Sequence, residues 1–128
     1  MQLRHVGIIV TDIQEAHFFY SHLLGMMLIS SELEKGNYIE TLTGLQELWC
    51  IKYMTEEGDI IECYLRPDKP CYTLGHMSFT VFFLQSLLDK LNHYGYITTP
   101  IMVNATKTCK VAFCQDKDGN RIELVEEL

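Results

Sequence analysis

The sequence predicts an α+β fold made of paired βαβββ modules, and three observations lead to this prediction. A short β-branched run that opens with a histidine occurs twice, at residues 5–10 and 76–82. Each run is followed by an amphipathic helical pattern that ends at a glycine, and then by several strand-like segments. In each half, the last of these segments holds a lone glutamate inside an apolar run. The chain therefore contains the same pattern twice.

The first half reads as a strand, a helix and three or four further strands. HVGIIV at 5–10 is the strand, Thr11 and Asp12 are candidate caps, and the following apolar residues recur at helical spacing as far as Gly25. A hairpin turn is predicted at EEGD, residues 56–59. The predicted strands after the helix are MMLISSEL (26–33), YIETLTGL (38–45), ELWCIKYM (47–54) and IIECYL (60–65).

The second half repeats this order after a segment at 66–75 that carries two of the three prolines and is predicted to be a linker. DKDGN at 116–120 is predicted to be a tight turn, and it lacks the remaining ligands of an EF-hand loop. The predicted elements are a strand HMSFTVF (76–82), a helix LQSLLDKLNHYG (84–95) and the strands TPIMVNA (99–105), KVAFCQ (110–115) and RIELVEEL (121–128).

The two halves align residue by residue. A shift of 71 positions matches His5 with His76 and Val10 with Val81, and a shift of 61 matches Glu62 with Glu123. The change from a shift of 71 to a shift of 61 requires only a loop about ten residues longer in the first half. We therefore expect a single domain over residues 1–128, built from modules at about 1–65 and 76–128.

Composition excludes several classes of partner. A net charge of −7 and a pI near 5.1 disfavour nucleic acid and anionic membrane surfaces. No apolar stretch reaches the roughly 18 residues that span a bilayer, and periodic structure begins close to Met1, so a cytoplasmic protein without a signal peptide is expected. The five cysteines form no CxxC pair and are expected to be small buried hydrophobic residues in a reducing compartment: Cys50, Cys63, Cys71, Cys109 and Cys114.

The repeat places two histidines and two glutamates at equivalent strand positions: His5, Glu62, His76 and Glu123. A glutamate in an apolar strand is unfavourable unless its charge is paired. On the first strand, His5 shares its face with Gly7 and Ile9, and on the equivalent strand His76 shares its face with Ser78 and Thr80. These small or polar faces would line a hollow, and the four side chains suit a divalent metal such as Zn, Ni, Co, Mn or Fe. Other polar residues are interpreted as ordinary surface or helix-end groups: His17, His22, His93, Glu126 and Glu127.

The chain resembles the vicinal oxygen chelate superfamily, which includes glyoxalase I, methylmalonyl-CoA epimerase, extradiol dioxygenases and the fosfomycin and bleomycin resistance proteins. Four segments carry the resemblance: RHVGIIVTDIQEAHFFYSHLLGM, IIECYL, GHMSFTV and KVAFCQDKDGNRIELVEEL. It implies paired βαβββ modules that form a half-open, barrel-like sheet around a metal cleft. The implied ligands are His5, Glu62, His76 and Glu123, a set that is most similar to glyoxalase I.

That resemblance implies a metal-dependent lyase or isomerase that acts through an enediolate on a small α-hydroxy carbonyl or thiohemiacetal. Glu62 and Glu123 would serve as ligand and base in turn. A homodimer is favoured, because a half-open sheet leaves edges that need cover, and the site could form within one chain or between two.

One departure leaves the substrate open. Glyoxalase I enzymes that use glutathione typically carry an arginine four residues after the first histidine, and this chain has Ile9. Arg66, Lys107 and Lys110 could bind a carboxylate instead, or could be surface charges. Three alternatives follow: an extradiol dioxygenase with His5, His76 and Glu123 as an iron triad, an epimerase of the methylmalonyl-CoA type, in which Gln usually replaces Glu62, or an antibiotic-binding resistance protein.

Overall fold

A computed structural model describes residues 3–68 and 75–128, which form two compact units, Met1–Pro70 and Cys71–Leu128. Part of the predicted linker, residues 69–74 with Cys71, lies outside the described residues. That residues 1–128 form a single domain stays a prediction. No helix among the described residues is long and apolar enough to cross a membrane.

The first unit holds an open four-stranded mixed sheet with helical segments. Its elements are β1 (His5–Val10), α1 (Ile13–His17), a π-helix (Phe18–Leu23), β2 (Met27–Lys35), α2 (Asn37–Thr43), β3 (Glu47–Met54) and β4 (Ile60–Leu65). The strand order is β1-β4-β3-β2. β1 and β4 run parallel, while the β4–β3 and β3–β2 pairs are antiparallel. The last strand of the unit therefore lies beside the first.

The second unit has the same strand order and the same directions. Its elements are β5 (His76–Thr80), α3 (Leu84–His93), β6 (Met102–Val103), β7 (Cys109–Gln115) and β8 (Arg121–Glu127). The order is β5-β8-β7-β6, with β5 parallel to β8 and the other pairs antiparallel. The predicted α+β fold is confirmed, and it takes the form of two four-stranded mixed sheets that are not closed.

One predicted strand is wrong. Residues 38–45 were expected to be extended, but residues 37–43 form helix α2. Glycines with positive φ flank this helix: Gly36 at 114° and Gly44 at 75°, and the Gly44 amide donates to the carbonyl of Glu40 at 2.9 Å. This left-handed cap ends the helix, because glycine adopts positive φ without a Cβ penalty. Composition suggested a strand, whereas the flanking glycines indicated a helix.

Two further segments differ in detail. The single helix expected at 13–25 is divided into α1 and the π-helix, which ends before Gly25 with its φ of 77°. The strand expected at 99–105 is limited to Met102–Val103. The hairpin turn at 56–59 and the tight turn at 116–120 are confirmed, since Gly58 donates to Thr55 and Gly119 donates to Asp116.

Each unit has its own apolar core. In the first unit, Tyr20 of the π-helix and Tyr53 of β3 are fully buried and stack with ring centroids 5.9 Å apart, which joins the helical layer to the sheet. In the second unit, Leu84 and Leu91 of α3 and Ile122 of β8 are fully buried. Three described cysteines, Cys50, Cys63 and Cys114, are buried as expected, and Cys109 is partly exposed.

The cap that starts the first helix gives a direct stability prediction. Asp12 accepts a hydrogen bond from the Glu15 amide at 2.8 Å, which satisfies one of the free N–H groups of the first turn. Asp12→Ala should lower the free energy of unfolding by about 1 kcal/mol, as measured by urea denaturation. Asp12→Asn keeps the acceptor, so its free energy of unfolding should be close to that of the parent. An Asp12→Ala variant as stable as the parent would contradict the capping role.

Candidate functional site

The histidine and glutamate of the first unit meet on neighbouring parallel strands. Gly7 of β1 lies opposite Glu62 of β4, so His5, two residues earlier, points to the same side of the sheet as the carboxylate. Its Nε2 lies 2.8 Å from Oε2 of Glu62. The side chain of Glu62 is 11% exposed and that of His5 is 44% exposed. The buried carboxylate thus has a partner that is reachable from solvent.

The other oxygen of Glu62 is bound from β3. The thiol of Cys50 donates a hydrogen bond to Oε1 of Glu62 at 3.3 Å, and Cys50 is buried. Burial, and then the hydrogen bond and negative charge of Glu62, raise the pKa of Cys50 to about 12, so the sulfur remains a protonated donor. Both oxygens of Glu62 are therefore engaged, which offsets the cost of burying its charge.

A tyrosine fills the space beside Gly7. A Cβ added at Gly7 would lie 2.5 Å from Cε2 of Tyr64, so the absence of a side chain there makes room for the ring. Burial, and then the charge of Glu62, raise the pKa of Tyr64 to about 12, which keeps the phenol neutral. Sequence reasoning missed Cys50 and Tyr64 as site residues. IIECYL does place Tyr64 two residues after Glu62, on the same face.

The second unit repeats the pair at the same register. Ser78 of β5 lies opposite Glu123 of β8, and Nε2 of His76 lies 3.2 Å from Oε2 of Glu123. Phe113 packs edge-on against the His76 ring at 5.4 Å, and the Arg121 guanidinium lies over Phe113 at 5.0 Å. The Glu123 side chain is 24% exposed, and among the described residues His76 is its one hydrogen-bond partner. This carboxylate is held less tightly than Glu62.

Each unit provides half of the proposed set of ligands for a divalent metal ion. Each unit brings together one imidazole and one carboxylate, and within the described residues no group of three or more histidine, cysteine, aspartate or glutamate side chains is placed to hold an ion. Imidazole nitrogen and carboxylate oxygen are ligands that Zn and related ions accept, and such sites commonly need three or four of them. That the two pairs bind one ion stays a prediction.

The other polar residues considered from the sequence have contacts of their own within their units. His17 contacts the Tyr53 hydroxyl at 3.4 Å, His22 stacks on Phe18, and His93 packs against Tyr94. Lys110 lies 3.8 Å from the carboxylate of Glu126, which agrees with its interpretation as a surface charge.

A cavity of about 790 Å³ lies between the first helical segments and the edge of the first sheet. Ile51 and Tyr53 line it, together with His17 and His22. Because Lys52 is paired with Glu62, its neighbours Ile51 and Tyr53 point to the opposite side of the sheet. This cavity is therefore separate from the His5–Glu62 pair.

Comparison with known proteins gives consistent matches along the chain. The sequence model described as the Glyoxalase/Bleomycin resistance protein/Dioxygenase superfamily matches residues 2–124. The uncharacterized protein YwkD of Bacillus subtilis is 27% identical over 134 residues, which cover 98% of this chain and 96% of that protein. Lactoylglutathione lyase of Escherichia coli O157:H7 is 30% identical over 133 residues, which cover 99% of this chain and 93% of the enzyme.

Solved structures show the same fold. A glyoxalase family protein from Bacillus cereus superposes with a TM-score of 0.82 at 20% identity, covering 100% of this chain and 95% of that one. The fosfomycin resistance protein FosX from Listeria monocytogenes, solved with Mn(II) and sulfate, gives a TM-score of 0.73 at 16% identity, covering 99% and 93%. At these identities the likeness concerns the fold alone.

Proposed function

The chain belongs to the glyoxalase/bleomycin resistance protein/dioxygenase superfamily, and we propose that it is a metal-dependent lyase or isomerase of the glyoxalase I type. One observation carries this proposal: a histidine and a glutamate meet on adjacent parallel strands at the same register in both units. The epimerase and dioxygenase alternatives would not use a carboxylate at position 62, so Glu62 favours the glyoxalase I type. The lactoylglutathione lyase relative supports the same assignment.

In this proposal, His5, Glu62, His76 and Glu123 bind one divalent ion of the group Zn, Ni, Co, Mn and Fe. The set provides two neutral nitrogen ligands and two anionic oxygen ligands, which matches the preference of these ions. The buried position of Glu62 favours the same conclusion, since a cation would compensate its charge. When bound, the ion would polarise the substrate oxygens and stabilise the negative charge that develops on them.

The protein's own groups would move the proton. We assign the role of base to Glu123, because it is the more exposed of the two carboxylates and only one of its oxygens is hydrogen-bonded within the described residues. It would take a proton from one substrate carbon, giving an enediolate, and return it to the neighbouring carbon. Glu62, held by His5 and Cys50, would remain a fixed ligand.

The substrate in this proposal is a small α-hydroxy carbonyl or thiohemiacetal. Ile9 lies on the same strand face as His5 and cannot bind a carboxylate, so glutathione is one of several thiol carriers to test. We also propose a homodimer, because open sheets leave edges that need cover, and each complete site would take its two halves from one chain or from two.

Metal analysis of untagged protein tests this function. The parent should bind a divalent ion, lose isomerase activity on the hemithioacetal of methylglyoxal and glutathione or another thiol when the ion is removed, and recover it on readdition. His5→Ala should bind the ion at least tenfold more weakly, because a ligand is lost. His93→Ala, which removes an imidazole at the end of α3, should behave as the parent.

Two results would contradict the proposal. A parent protein that binds no divalent ion would exclude a metal-dependent lyase. Iron-dependent oxygen consumption with a catechol, and no isomerase activity, would instead identify the dioxygenase alternative based on His5, His76 and Glu123.

A further inference from the structure

The two histidine–glutamate pairs share a register but have different neighbours on the adjacent strand. In the first unit, the residue two places after the glutamate is Tyr64, and Cys50 lies opposite it on β3. In the second unit, the residue two places after Glu123 is Val125, and Val111 lies opposite it on β7. Cys50 and Val111 therefore occupy equivalent positions in the two sheets, and only Cys50 carries a hydrogen-bond donor.

This difference explains why the two carboxylates are held unequally. Cys50 donates to Oε1 of Glu62 at 3.3 Å, while Oε2 of the same carboxylate faces His5 at 2.8 Å. Valine has no group that could bind the corresponding oxygen of Glu123, and the Glu123 side chain is 24% exposed where that of Glu62 is 11% exposed. The thiol of Cys50 thus holds Oε1 of Glu62, and Oε2 remains directed towards His5.

We propose that Cys50 is a positioning residue for the metal centre, whose thiol fixes the Glu62 carboxylate as a single-oxygen ligand beside His5. This inference rests on the proposed function for the identity of the ligand site, although the hydrogen bond itself can be observed without metal. Groups that hydrogen-bond to metal ligands orient them, and their loss typically weakens metal binding about 10- to 100-fold. The buried cysteine would then serve the site through Glu62 and would not touch substrate.

Three variants separate positioning from simple loss of packing. Cys50→Ala removes the donor, and Cys50→Ser keeps a donor of similar size. Cys114→Ala removes a thiol that is equally buried in β7 and is the matched control. We would measure Zn(II) and Co(II) affinity of the full-length, metal-free protein by competition with a chromophoric chelator, with no substrate present.

Cys50→Ala should bind both ions about tenfold more weakly than the parent, at the low end of the range for such groups. Cys50→Ser should recover most of that loss, and Cys114→Ala should bind as the parent does. If the parent binds the ions and Cys50→Ala binds them equally well, the positioning role is overturned while the proposed function stands. If the parent binds neither ion, the proposed function fails, and the role in a metal centre fails with it.

Infrared spectroscopy of the metal-free protein tests the hydrogen bond separately. The S–H stretching band that disappears in Cys50→Ala should move to higher frequency in Glu62→Ala, because the thiol then loses its acceptor. A band that keeps its position in Glu62→Ala would mean that the thiol does not donate to Glu62, and this would also overturn the proposal. Cys114→Ala should leave this band unchanged.

Discussion

Replacing Glu123 by glutamine should reduce turnover by about 10²- to 10⁴-fold, because an amide cannot take the substrate proton. Glutamine has the same shape and retains an oxygen that can accept from His76, now 3.2 Å from Oε2, so β8 should fold normally. The measurement is kcat with the hemithioacetal of methylglyoxal and a thiol carrier, under saturating metal. With the metal at saturating concentration, a lower kcat reflects loss of the base and not weaker binding of the metal.

Glu127→Gln is the matched control for this experiment. Glu127 ends the same strand and is exposed, so its replacement removes one negative charge without touching the histidine–glutamate pair. It should leave kcat within about twofold of the parent, as expected for a surface substitution. A Glu123→Gln enzyme that turns over as fast as the parent would show that Glu123 is not the base, and the role would then pass to Glu62.

The strands that carry the four candidate ligands could be predicted because their pattern is local. His5–Val10 is a β-branched run, and residues 121–124 alternate between polar and apolar with the period of two that a strand imposes. The repeat supplied a second example of each. The parallel strands of the two units are also paired in the same register. The sequence alone therefore placed one histidine and one glutamate on strands of each module, and the contacts of 2.8 Å and 3.2 Å within the two pairs were found only in the structure.

Helix α2 could not be recognised by composition. Residues 38–45 include tyrosine, isoleucine and two threonines, which are typical of strands, but they lack strict alternation. The chain leaves the extended conformation at Gly36 and ends the helix at Gly44, both with positive φ. In this segment the flanking glycines determine the structure more than the propensities of the residues between them.

Cys50 and Tyr64 were missed for a different reason. Their contacts depend on cross-strand register, which places β3 beside β4 with Cys50 opposite Tyr64. A β-strand shifted by one residue would turn every side chain to the other face, so no pattern within β3 alone identifies the partner of Glu62. The equivalent residues, Val111 and Val125, have no polar group, and the repeat therefore gave no hint of this contact.

The Gly7–Tyr64 contact predicts a second large effect, this time on stability. Gly7→Ser would place its Cβ 2.5 Å from the Tyr64 ring, so the ring must move. Such overpacking should lower the free energy of unfolding by about 1–3 kcal/mol, as measured by urea denaturation. Ser78 occupies the equivalent position in the second unit, and Ser78→Ala should change stability by less than about 0.5 kcal/mol, as is usual for an exposed site.

The second unit also supplies the compensating change. It has Ser78 where the first unit has Gly7, and Val125 where the first unit has Tyr64, so a larger residue at the first position accompanies a smaller residue at the second. Gly7→Ser should therefore cost much less in a Tyr64→Val background, with a coupling energy of about 0.5–3 kcal/mol in the double-mutant cycle. Equal costs in the two backgrounds would mean that the ring does not require Gly7. A positive coupling would instead establish that Gly7 is glycine because the tyrosine beside Glu62 occupies the volume of its side chain.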